Sequence, residues 1–315
     1  MRALRVDGPD DVRVVEVPTP RAADDEVLVQ VVRAAMCATD LKLVARGADP
    51  PRVPGHEVAG RLESGRFVGV HPDIGCGRCD FCRNGFENRC PEGVSIGLDR
   101  DGGFAQMVSV PKRHAVPLDL DVELAPLIEP LACCVHAVRM LHVEEGDLAL
   151  VVGAGPMGLL SMWTLKAQGV RVGVCQRSEQ RRRLAHELGA DAVFGPEDPV
   201  EKIMGAPPRV AVVTAPGSAA LGQALKSVVV GGTVHAFAGT PDGATVDAND
   251  VHYRHLSLIG STGSTVSDYE RAAQLVSSGF VPLERLPTTT VSLDELPDLL
   301  RGERKNSAMK VLVSP

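Results

Sequence analysis

Residues 148–158 read Leu-Ala-Leu-Val-Val-Gly-Ala-Gly-Pro-Met-Gly. Five apolar residues predict a short buried strand, and the Gly-x-Gly-x-x-Gly after it opens a helix over Met157–Gln168. Such a fingerprint carries weight only between a strand and a helix inside a βαβ unit, which is its setting here. The glycines permit a tight turn and let a pyrophosphate approach the helix N-terminus, where free N–H groups and the helix dipole favour anions. Leu148 to Leu165 carries no charge and has the length of a membrane span. Gly153, Gly155, Pro156 and Gly158 divide that run into strand, turn and helix, so no span is expected.

Strand and helix go on alternating downstream. Strands are expected at Val170–Cys175, Ala192–Phe194, Val210–Thr214 and Thr233–Ala238. Helices are expected at Ser178–Leu188, with Ser178 as N-cap, and at Ala219–Val228. This pattern predicts an α/β fold with a doubly wound parallel sheet. Upstream the texture differs. Residues 1 to about 120 are β-rich, with Val12–Val17 and Val27–Val32 as strands among Gly-Pro and Pro-x-Pro turns. Beyond Pro287, Thr288–Val291 and Lys310–Val313 read as the first domain resuming. The expected division is therefore 1–128, 129–262 and 263–315, and 315 residues suit two domains.

Lys and Arg number 33 against 40 Asp and Glu, a net charge of −7, which argues against nucleic-acid and anionic-membrane partners. The opening MRALRVDGPDD has no apolar signal region. Eight cysteines without a secretory signal point to reduced thiols, metal sites and a cytoplasmic protein.

Four of those cysteines follow the spacing Cys76-x2-Cys79-x2-Cys82-x7-Cys90. Four thiolates so close together can surround a tetrahedral Zn²⁺ and fill every position, which makes the site structural. Asp73, Asp80 and Glu87 interleave with Arg78, Arg83 and Arg89, so the run is not a basic nucleic-acid knuckle. Cys37, His56-Glu57 and Glu129 are further metal-ligating types, dispersed along the chain.

Taken in order, MCATD (36–40), VPGHEVAG (53–60), CGRCDFCRNGFENRC (76–90), IEPLACCVHAV (128–138) and GAGPMG (153–158) resemble the zinc-dependent medium-chain dehydrogenases/reductases. Alcohol, sorbitol and threonine dehydrogenases belong to that group, and the resemblance covers nearly the whole chain. It implies a GroES-like β-rich catalytic domain with an inserted Rossmann domain. It also implies two zinc ions per chain, the second held by Cys37, His56, the adjacent Glu57 and Glu129. Liver-type alcohol dehydrogenases have Cys at the last place, whereas Glu129-Pro130 matches the polyol and threonine branch. Cys133 and Cys134 read as small core residues of the following helix. The stretch between Gly60 and Cys76 is shorter than the family's usual one.

The activity implied is hydride transfer between NAD(P) and a secondary alcohol or ketone, expected to be a polyol, cyclitol or amino alcohol. A zinc with three protein ligands keeps a position open and polarises the substrate oxygen as a Lewis acid. Cys37, His56 and Thr39 are the implied catalytic residues, with Thr39 taking the first step of proton release. Lys42 stands where the branch often has His. A zinc-free enoyl or quinone reductase would lack the ligand set, and a non-catalytic member would have lost ligands or glycines.

Gly153, Gly155, Pro156, Met157 and Gly158 form the expected cofactor loop. NAD-binding domains place an acid about 20 residues beyond the glycines, on the ribose 2′-hydroxyl. Gln176 takes that place here, followed by Arg177, Ser178 and Arg181. An uncharged Gln with two arginines and a hydroxyl predicts NADP over NAD. The family forms dimers and tetramers through Rossmann sheet edges, and the apolar run Leu256–Gly260 suits such an edge.

Overall fold

In the computed structural model, which describes residues 1–240, 243–302 and 308–315, Leu148–Val152 lies inside a six-stranded parallel sheet. The strand order is Ala192–Phe194, Arg171–Cys175, Leu148–Val152, Val210–Val213, Thr233–Ala236 and Ser257–Gly260. Numbered along the chain this is 3-2-1-4-5-6, the doubly wound dinucleotide-binding order. Leu148 stands opposite Arg171 on one side, and Ala149 opposite Val210 on the other. Ala149, Leu150 and Val151 are fully buried, as parallel strands covered on both faces require.

Several expected ends shift. The fourth strand stops at Val213, where the N–H groups of Thr214 and Ala215 both turn to Val152 O. The fifth stops at Ala236, where the N–H groups of Phe237 and Ala238 both turn to Val213 O. The helix after the glycine loop spans Pro156–Lys166, with proline at its first position, where no N–H is needed. Glu179–Glu187 is capped by Ser178, whose Oγ accepts the Arg181 N–H at 3.4 Å. Trp163, nearly buried, donates its indole N–H to Leu188 O at 2.9 Å and ties these two helices together.

Two units share the chain. One comprises Met1–Ala132, Gly263–Ser277 and Pro282–Pro315, and the other Cys133–Thr262 and Ser278–Val281. The first break falls inside the Ile128–Arg139 helix. The first unit is built on a seven-stranded sheet whose longest strand, Glu26–Ala35, pairs with Glu57–Arg61, Met107–Pro111 and Lys310–Ser314. An irregularity between Val31 and Arg33 lets that strand bend and change partners. It runs past the expected Val32 because Ala34 and Ala35 pair with Val313 and Leu312 of the returning C-terminus. Leu4, Val29, Val58, Phe104 and Leu296 belong to its core. The shortened stretch after Gly60 is a hairpin, in which Phe67–Val70 pairs back on Glu57–Arg61.

Candidate zinc and dinucleotide sites

In the first unit, the sulfurs of Cys76, Cys79, Cys82 and Cys90 all lie within 4.8 Å of one another. A short strand pair, Asp73–Ile74 with Val94–Ser95, closes the base of their loop. The N–H groups of Cys76 and Cys79 donate to the sulfurs of Cys90 and Cys76, at 3.3 and 3.4 Å. Backbone donors pull the Cys76 thiol down to about 6. Desolvation, and then its thiol neighbours, push Cys82 up to about 12. Four soft donors at one point fit a tetrahedral zinc with no open position.

A second convergence brings Cys37, His56 and Glu57 within 4.8 Å. Cys37 precedes the Ala38–Arg46 helix, whose third residue, Asp40, turns back to accept the Cys37 N–H at 2.8 Å. Asp40 is fully buried, and its other oxygen stands 3.6 Å from His56 Nδ1. Burial lowers the His56 pKa, but Asp40 and Cys37 outweigh it and hold the imidazole well above its usual value. Thr39 Oγ1 is 3.7 Å from the Cys37 sulfur. Lys42 is exposed on the same helix.

Glu129, also buried, lies beyond 4.8 Å from at least one of those three. Burial raises its pKa to about 7, with Glu57 and Asp73 adding to the rise and His56 and Lys310 opposing it. Lys310 has no counterpart in the sequence reading. It is 6% exposed, and its ammonium group pairs with the carboxylate of Glu57, itself 1% exposed. It also donates to Met36 O at 3.0 Å. One lysine cannot neutralise Asp40, Glu57 and Glu129 together, and a thiol and an imidazole stand beside them, so a divalent cation suits this donor set. The sequence signal for Asp40 was its place three residues after Cys37. None of comparable kind marks Lys310.

In the second unit a cavity of about 380 Å³ opens at the carboxyl ends of the strands. Val152, Gly153, Gln176, Arg177, Ala215 and Gln223 are among its walls. This is the crevice where strand order reverses, the usual ligand position of such sheets. Gly153 has φ +111, and a Cβ on Gly158 would stand 2.0 Å from Gly153 O. A Cβ on Gly155 would meet nothing within 4 Å, so the loop faces open space where a pyrophosphate can approach. Arg182 braces the next loop through Gln176 O and Arg177 O, at 2.7 and 2.8 Å. Arg183 pairs with Glu179, while the side chains of Arg177 and Arg181 are exposed. Glu197, which the sequence reading did not single out, lines the same cavity. Cys134 packs on the glycine-loop helix, 3.4 Å from Ser161 Oγ, as a core residue.

The model of the alcohol dehydrogenase GroES-like domain matches residues 23–120, and that of zinc-binding dehydrogenases matches residues 156–278. The chain belongs to the zinc-dependent medium-chain alcohol dehydrogenase family. This dehydrogenase is 34% identical over 302 residues to an L-threonine 3-dehydrogenase of Thermococcus kodakarensis, covering 87% of this chain and 86% of that one. Its fold matches a zinc-binding dehydrogenase from Sinorhizobium meliloti 1021 bound to NADP, with TM-score 0.93 and 31% identity, over 100% of this chain and 99% of that one. It also matches an alcohol dehydrogenase from E. coli CFT073 complexed with NADH, with TM-score 0.92 and 26% identity, again over 100% and 99%. The dehydrogenase has a GroES-like domain and a Rossmann-type parallel sheet, and it is NAD(P)-dependent. Among the described residues no helix is long and apolar enough to cross a membrane.

Proposed function

We propose that this dehydrogenase oxidises a polar secondary alcohol, a polyol or an amino alcohol, with NADP as the preferred acceptor. Its catalytic zinc is held by Cys37, His56 and Glu129, and a second zinc by Cys76, Cys79, Cys82 and Cys90. The observation that carries this reading is the convergence of the Cys37 thiol with the buried His56 imidazole and Glu57 carboxylate, where Asp40, Glu57 and Glu129 are more acid than Lys310 can balance. Bound there, zinc would supply Lewis-acid polarisation of an alcohol oxygen, and the dinucleotide would supply the hydride acceptor.

The chain's own residues do the rest. Asp40 fixes the Cys37 backbone and orients His56 by charge. Lys310 holds Glu57 by its ion pair, and the buried Glu129 supplies the carboxylate to the metal. Thr39, beside the Cys37 sulfur, takes the proton of the substrate hydroxyl and passes it outward. The lack of a negative charge at Gln176 and the exposed Arg177 and Arg181 favour a 2′-phosphate, with Ser178 as a further donor. The protein assembles as a homodimer or homotetramer through the edge strand Ser257–Gly260, whose Leu258 is exposed.

Metal analysis and kinetics test this reading. About two zinc per chain is expected; one or none overturns the two-site assignment. With a panel of polyols, amino alcohols and their ketones, kcat/KM should favour NADP, and Gln176→Asp should cut NADP use while sparing NAD. A wild type that prefers NAD tenfold overturns the cofactor assignment and leaves the arginines as surface charge.

A further inference from the structure

Within the first unit, a buried polar clasp holds the loop that leads into the Val266–Ser277 helix. His71 and His114 are fully buried, with their Nδ1 atoms 3.1 Å apart. His71 Nε2 lies 3.1 Å from Ser264 O. A carbonyl only accepts, so in this network His71 carries its proton on Nε2 and accepts at Nδ1. His114 then donates from Nδ1, and its Nε2 accepts from Arg113 Nε at 3.0 Å. Two carboxylates complete the clasp. Asp73 accepts the Ser264 N–H at 3.3 Å, and Glu87 accepts the Val266 N–H at 2.9 Å. Glu87 is buried and sits between Cys82 and Cys90 of the four-cysteine lobe.

The helix anchored in this way carries Tyr269. Its ring is fully buried and meets His71 edge-on, with centroids 5.9 Å apart. Its hydroxyl has no hydrogen-bond partner among the described residues. Residue 69 must be glycine for the hydroxyl to fit, since a Cβ there would lie 2.2 Å from that oxygen. The Phe67–Val70 strand bearing Gly69 packs against the Ala125–Leu127 turn, and Glu129 follows two residues later. Burial, and then the charges of Glu129 and Glu57, raise the Tyr269 pKa, so the phenol keeps its proton and can only enter a carboxylate contact as a donor.

We propose that Tyr269 is a positioning residue for Glu129: its hydroxyl donates to the Glu129 carboxylate across one bridging water. The clasp of His71, Asp73 and Glu87 sets where that hydroxyl stands. The four-cysteine lobe is thereby coupled to the catalytic centre through the Val266–Ser277 helix. The inference rests on the reading of Glu129 as a catalytic-zinc ligand. Partners that orient a metal ligand are typically worth about 10–100-fold in metal affinity.

The test uses full-length protein loaded with Co²⁺ at both sites. The one-thiolate and four-thiolate ions have separate charge-transfer bands, and a chelator titration reads the affinity of each. Tyr269→Phe removes one oxygen and should weaken the one-thiolate site about tenfold or more while leaving the four-thiolate bands unchanged. Glu87→Ala opens the clasp and should do the same, whereas Glu87→Gln, whose amide oxygen still accepts the Val266 N–H, should restore wild-type affinity. In the Tyr269→Phe background Glu87→Ala should add little, because both act along one path. Affinity in Tyr269→Phe within about threefold of wild type overturns the proposal, as does full additivity of the pair. If Glu87→Ala does not fold, Tyr269→Phe alone decides. Glu129→Ala separates the two readings. Loss of the one-thiolate site there, together with an unaffected Tyr269→Phe, defeats only this inference. Retention of that site in Glu129→Ala defeats the ligand assignment itself.

Discussion

Acidification from pH 7.5 to 5.5 sets the His71–His114 pair against its own hydrogen bonds. Each nitrogen at the 3.1 Å contact has one role, so an added proton turns an acceptor into a second donor. Burial, then the charges of His71 and Arg113, pull the His114 pKa from 6.5 down to about 3. Burial also lowers His71, with Arg113 on the same side, and the carboxylates of Asp73 and Glu87 oppose that shift without reversing it. Because both folded-state values lie below the ordinary 6.5, the unfolded chain takes up protons first as pH falls. The pair's contribution is therefore complete above pH 6.5 and is lost from there downward towards the folded values. His114, with its folded value near 3, loses about 1.4 kcal/mol over the unit from pH 6.5 to 5.5, and His71 adds a loss of the same sign. Urea unfolding of wild type and His114→Gln at both pH values measures this. The wild type should lose about 1.4 kcal/mol more than the variant, with contributions from the zinc sites common to both. Losses equal to within about 0.5 kcal/mol would mean that the rings titrate normally, and the tautomer argument would fall.

The remaining expectations concern the metals and their neighbours. Cys37→Ser should abolish turnover with the thermal midpoint nearly unchanged; more than a tenth of wild-type turnover without zinc at that site refutes the catalytic assignment. Cys79→Ser should first lower stability or solubility, measured by thermal unfolding and soluble yield, because the order of its loop depends on the ion. Lys310→Met leaves the Glu57 carboxylate buried and unpaired, which should cost about 3–5 kcal/mol in urea unfolding, and Glu57→Gln in the same chain should recover most of it. A loss below about 1 kcal/mol for the single variant would show that Glu57 does not depend on that ion pair.

What could be read along the chain was whatever a local pattern encodes. The strand, glycine loop and helix at 148–166 are contiguous, and the four cysteines span a single loop, so period and spacing suffice. Cys37 and Asp40 are likewise three residues apart. Lys310 reaches Glu57 across 253 residues, and Ser264 reaches His71 across 193. Such contacts depend on the C-terminal segments returning to the first unit, and no residue-level periodicity announces which lysine or histidine will be buried. No local pattern singles out Gly69, and only the tyrosine hydroxyl standing where its Cβ would be gives it a reason. Strand ends moved for a similar cause, since the partner of the Thr214 or Phe237 N–H depends on which strand lies alongside.

The chain has a single tryptophan, and folding buries its indole in the second unit, on the helix that begins at the glycine loop. Intrinsic fluorescence excited at the red edge therefore comes from that unit alone. As the Trp163 bond to Leu188 O breaks and water reaches the ring, the emission should move to longer wavelength. Far-ultraviolet dichroism, by contrast, follows the backbone of both units. Recorded together on one sample, the two signals separate the unfolding of the parallel sheet from that of the β-rich unit without any attached label.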